Sequence, residues 1–137
     1  MDQIANFNRK ILVPLSVFKS TRAKKVNVEE VEKDVLEYLS MSASHVMSPN
    51  RETDVVVARR LVMCALHRYT ELSLKEIGKR TGGRDHTTVI HGLRAAKDML
   101  ETRDPLYTEL FALYFNSRDA KYPRVKHDRT DRYQFNF

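Results

Sequence analysis

Seven polar residues between positions 84 and 94 have the types and spacing to read a nucleic acid: Arg84, Asp85, His86, Thr87, Thr88, His91 and Arg94. On a helix, Thr87, His91 and Arg94 fall on one stripe, with Thr88 at its edge and Arg84 just ahead of it. Short hydroxyls, imidazoles and guanidinium groups at a helix N-terminus suit the base edges and phosphates of a major groove. Asp85 suits the N-cap, where a carboxylate accepts the unpaired N–H groups of the first turn and complements the helix dipole. The blander alternative is a solvated helix face with an ordinary cap.

Three catalytic readings of the same region fail on residue type. The run Gly78-Lys79-Arg80-Thr81-Gly82-Gly83-Arg84-Asp85 approaches a phosphate-binding loop, but Arg84 stands where the lysine belongs and Asp85 where a magnesium-binding hydroxyl belongs. Asp85, His86 and His91 suggest metal ligands, yet histidines five apart do not share a helix face and no His/Cys cluster joins them. Cys64, the single cysteine, has only His67 nearby as an activating partner and reads as a buried apolar side chain. No enzyme activity, metal or cofactor is expected.

The stripe needs a turn before it and a support behind it. Gly82-Gly83 can take positive φ and so end one helix and redirect the chain. Upstream, Ser73-Leu74-Lys75-Glu76 has the pattern of a capping box that opens a short helix with Leu74 and Ile77 facing inward. Downstream, Val89, Leu93, Ala96 and Leu100 recur at helical spacing, with Ile90 beside them, along a helix expected from His86 to about Arg103. A short helix, a glycine turn and a capped second helix make a helix-turn-helix.

The run GGRDHTTVIH closely resembles the signature of the DNA-binding domain that closes the bacterial replication initiator DnaA. The likeness extends through Ser73 to Gly78 and the helix containing Arg59, on to Arg94, and back to a first helix near Val28. It implies that His86, Thr87, Thr88 and His91 touch bases and phosphates, and that Asp85 belongs to the same signature. It further implies that Arg51 enters the adjacent minor groove from a loop, and that Arg59 contacts phosphate near the start of its helix. The initiator's ATPase belongs to a separate domain for which this chain has no room. Two departures stand out. The family's loop is usually rich in Arg and Lys, whereas Arg51 is followed here by Glu52 and Asp54, which would repel phosphates or hold the guanidinium in an ion pair. Gly92-Leu93 replaces the usual Ala-Cys, so that a backbone can approach closely, from DNA or from another helix.

The remaining helices follow from caps and periodicity. Asn27 with an answering Glu opens a helix whose Val28, Val31, Val35 and Leu39 share a buried face. Ser42 caps a short helix from Ala43 to Met47. Thr53 or Asp54 caps a long one to about Tyr69. Asp104-Pro105 starts a last helix to about Phe115, with Leu106, Leu110, Leu113 and Tyr114 expected to cover the bundle. The predicted fold is an all-α small helical bundle containing a helix-turn-helix, flanked by basic tails. Its divisions are a basic arm over 1–26 with an apolar segment from Ile11 to Phe18, a DNA-binding domain over 27–116, and a basic, aromatic-containing tail over 117–137.

The net charge of +6 is unevenly distributed. Arg59 to Lys97 carries nine Lys/Arg against Glu71, Glu76 and Asp85, whereas Asn27 to Ser40 sets Lys33 against five acidic residues. A polyanion would be steered to the helix-turn-helix side. No apolar run is long enough to span a membrane and no secretory signal is evident, so a cytoplasmic protein is expected. The expected partner is double-stranded DNA, bound sequence-specifically in replication control or transcriptional regulation, by a host, phage or mobile-element protein. The alternative is an interaction module that docks on replication or transcription machinery through its tails, with DNA contact incidental.

Overall fold

The computed structural model describes residues 26–127, which form six α-helices and no strand. The apolar segment at 11–18 and the aromatic residues beyond 127 lie outside the described residues. Helix α1 spans Val28–Leu39, α2 Ala43–Val46, α3 Thr53–Tyr69, α4 Leu74–Arg80, α5 His86–Glu101 and α6 Pro105–Arg118. None of the described helices is long and apolar enough to cross a membrane.

Helix α3 is the central element because apolar residues occupy most of its circumference. Val55, Ala58, Leu61, Val62, Cys64, Ala65, Leu66 and Tyr69 are all fully buried. A helix that is apolar almost all round must be enclosed by others. Helices α1, α2, α4, α5 and α6 pack on it. Burial also pushes the Cys64 thiol pKa well up, which keeps it protonated and unreactive.

Most of the expected caps form. Asn27 Oδ1 accepts the Glu29 amide at 2.9 Å, and Val31 and Val35, one turn apart, are fully buried. The reciprocal glutamate bond does not form there, because Glu29 and Glu30 instead turn towards Arg80 and Lys121. Ser42 caps α2 through the His45 amide. At α3 the expectation fails: Glu52 occupies the N-cap without a side-chain bond, and Thr53 is already helical. The Asn50 carboxamide accepts the Glu52 amide at 2.8 Å and so shapes the entry from outside the helix.

Helix α6 keeps part of the predicted face: Tyr114 is fully buried and Leu110 packs against the core. The rest is rotated, with Tyr107, Phe111 and Phe115 facing inward while Leu106 is 48% and Leu113 58% exposed. The two faces compete for one groove, and the aromatic face removes more apolar area from water. The helix also runs past 116 to Arg118, and the next residues turn back over α3. Tyr122 is buried, Val125 donates its amide to the Arg68 carbonyl at 2.9 Å, and the His127 ring stacks on His67 at 3.9 Å.

Candidate nucleic-acid interface

Local bonds shape the two helices and the turn between them. Ser73 Oγ accepts the Glu76 amide at 3.1 Å and Glu76 Oε2 accepts the Ser73 amide at 2.8 Å, closing the capping box that starts α4. Gly82 and Gly83 follow with φ of 93° and 69°, a conformation costly for residues with a Cβ. The Arg84 amide then donates back to the Gly78 carbonyl at 2.8 Å. This return is so tight that a Cβ on Gly78 would overlap the Arg84 carbonyl. Helix α5 is thereby seated against α4. Its own glycine, Gly92, faces α3, where an added Cβ would lie 2.9 Å from Met63 Sδ, so the close approach expected there is to another helix.

Asp85 caps α5 as expected. One carboxylate oxygen accepts both the Thr88 amide and the Thr88 hydroxyl, each at 2.9 Å. Those bonds hold the Asp85 pKa below the usual carboxylate range. They also commit the hydroxyl proton of Thr88 inward, leaving that oxygen outward only as an acceptor, with the methyl beside it. Asp85, His86, Thr87, Thr88, His91 and Arg94 are all exposed, while Val89, Leu93 and Ala96 on the opposite side are fully buried. The expected stripe is therefore presented to solvent over the first turns of α5.

The two arginines expected beside it are placed differently. Arg59 is only 8% exposed and lies in the second turn of α3, so no anion-binding helix terminus surrounds it. Its Nε donates to the Val46 carbonyl at 2.9 Å and its Nη2 to the Ser48 and Asn50 carbonyls at 2.5 and 3.0 Å. Burial first, then the nearby Arg84 and Arg60, hold its pKa below the usual arginine value. Arg84 is half-buried and donates from Nη2 to the Ser48 carbonyl at 3.0 Å, and from Nη1 to the Met47 and Thr81 carbonyls. The sequence did not single out these carbonyl partners, because backbone acceptors carry no residue signature. The direction of a long side chain is equally silent.

Arg51 is exposed at the end of the same loop. Among the described residues it forms no ion pair with Glu52 or Asp54, and Asp54 accepts the Val55 amide instead. Lys75 and Lys79 add two cations on the exposed side of α4. The described residues contain no cluster of His, Cys, Asp and Glu suited to a metal ion.

The sequence that builds this surface is similar to that of known proteins. Residues 28–95 match the family described as bacterial dnaA protein helix-turn-helix. The chain is 36% identical over 87 residues to the chromosomal replication initiator protein DnaA of Cereibacter sphaeroides, covering 64% of this chain and 19% of that protein. It is 40% identical over 76 residues to the DnaA of a Ruegeria species, covering 56% of this chain and 16% of the relative. With the DnaA of Streptococcus mutans the match is 31% over 117 residues, 78% of this chain and 26% of the relative. The chain thus spans about a fifth of the length of these relatives.

Proposed function

Because residues 28–95 make this chain a member of the bacterial DnaA helix-turn-helix family, we propose that it binds double-stranded DNA sequence-specifically. In this reading the first turns of α5 enter a major groove and Arg51 reaches the neighbouring minor groove. The observation that carries it is the exposed set His86, Thr87, Thr88, His91 and Arg94 on a helix whose other side is buried core. Thr87 and Thr88 offer methyl groups and acceptors to base edges, His91 lies one turn further along the groove, and Arg94 approaches phosphate. The process served is replication control or transcriptional regulation, in line with relatives named as replication initiators.

The test is selection of a site from random DNA, followed by titration of that site at several salt concentrations. Arg94, Lys75 and Lys79 suit about three phosphates, so log K should fall against log salt with a slope of about −2 to −3. The selected site should be bound at least about 10³-fold more tightly than unrelated duplex. Absence of binding at low salt, or binding without discrimination, would overturn the proposal.

A further inference from the structure

The loop over residues 47–50 follows a single-turn helix, whose last carbonyls lack intrahelical partners. Two guanidinium groups bond the carbonyls at the end of this helix and in the loop after it. Arg59 reaches from α3 to the carbonyls of Val46, Ser48 and Asn50. Arg84 reaches from the helix-turn-helix turn to those of Met47 and Ser48. The Ser48 carbonyl, held by both, is the point where the loop, the central helix and the turn are joined. A Cβ on Gly82 would strike both the Arg84 guanidinium and the Met47 carbonyl, so the turn leaves room for this contact. Arg51 follows directly on Asn50, whose backbone carbonyl is held by Arg59 and whose side chain holds the Glu52 amide.

We propose that Arg59 and Arg84 are positioning residues rather than DNA contacts: together they lock the 47–50 loop to the helix-turn-helix turn. The spacing between Arg51 and the first turn of α5 is then set before DNA arrives. A planar fork is required, because each guanidinium serves three carbonyls at fixed angles and a lysine ammonium is a single mobile point. The DNA part of this inference rests on the function proposed above, whereas the lock is a property of the free protein.

Two measurements on the full chain separate the possibilities. In the first, the guanidinium Nε–H signals of the arginines are followed by NMR in the free wild type and on adding the duplex it selects. The Arg59 Nε–H should exchange slowly in the free protein and shift little with DNA, while the Arg51 signal shifts strongly. In the second, Arg84→Lys and Arg84→Ala are compared by hydrogen exchange and by DNA titration. Both should raise exchange at the Glu52 amide about tenfold or more, the worth of one lost charge-assisted hydrogen bond, with the α5 core amides still protected. Both should lose discrimination to the extent that Arg51→Ala does, and both should keep the salt slope. Fast exchange of Arg59 Nε–H in the free wild type would overturn the lock, whether or not the variants fold. Rescue of discrimination by Arg84→Lys, with Arg84→Ala flattening the salt slope by about one unit, would instead make Arg84 a phosphate contact. If the wild type binds no DNA, the DNA reading fails, and the exchange of the free protein still decides the lock.

Discussion

At the scale of single residues, the separation is between side chains that face outward and those spent inside. Thr87 and His91 are one helical turn apart on the exposed stripe, so each can meet a base edge without disturbing the core. Thr87→Ala and His91→Ala should each cost about 1–3 kcal/mol of binding on the preferred site and relax discrimination there, with thermal stability nearly unchanged. Titration of both variants on selected and scrambled duplexes checks this, and an equal loss on every sequence would exclude base reading. The outward set was legible in the sequence because short side chains on a capped helix have little freedom in where they point. Arg59 and Arg84 were legible only as cations near the site. Their long stems allow an outward or an inward course, and the backbone carbonyls that decide between them leave no mark in the residue types.

At the scale of elements, local signals placed the helices and competition between faces decided their rotation. Asp104 Oδ1 accepts the Tyr107 amide and Pro105 stands at the first helical position, so the start of α6 was readable from a dipeptide. Its buried side was readable only at Leu110 and Tyr114, because leucines and aromatics alternate along the same turns and only the shape of the groove chooses. Phe111, fully buried against Tyr107 and Phe115, should cost about 3–5 kcal/mol when replaced by alanine. Leu113→Ser, on the opposite side, should stay within about 0.5 kcal/mol. Denaturant melts of the two variants would expose an error in this rotation as a reversal of their order. The glycine-rich run behaves similarly. Its resemblance to a phosphate loop dissolves because Gly78, Lys79 and Arg80 form the last turn of α4. The amides of Thr81, Gly83 and Arg84 donate to the carbonyls of Ile77, Lys79 and Gly78. With those donors occupied, ATP with Mg²⁺ should give no rise in melting temperature at concentrations up to about 100 times a typical nucleotide Kd, where a true site would add about 2.7 kcal/mol.

At the scale of the whole molecule, the acidic first helix is tied to the rest by charge. Glu29 and Glu32 pair with Arg80 of α4, and Asp34 pairs with Arg118 at the end of α6. A second tie joins α3 to the chain beyond α6: Arg68 donates from Nε and Nη2 to Asp119, and Tyr69 adds a hydroxyl bond. The Arg68 bonds first, and the Tyr69 bond after them, hold the Asp119 pKa below the usual carboxylate range. Its contribution is therefore fully present above an unfolded value of about 3.9 and fades as pH falls through the lower folded value. Asp119→Asn should cost about 1–2 kcal/mol at neutral pH, less than for a fully buried pair because the carboxylate is partly exposed. Stability curves of variant and wild type should converge as pH falls through the folded Asp119 value, and a constant offset over that range would refute the assignment. The same tie redraws where the protein can be cut. A truncation placed at 116, where helical periodicity runs out, would remove Arg118 and Asp119, uncover Tyr69, and strip Tyr122 from the core. Such a fragment would report on damaged packing whatever assay it entered. A boundary after His127 spares these contacts, and it leaves the chain near the end of α3 remote from the Arg59-held loop. Ten residues of helix separate Arg59 from Tyr69, a length of about 15 Å. A dye, affinity handle or fused domain attached there would leave the base-reading side clear.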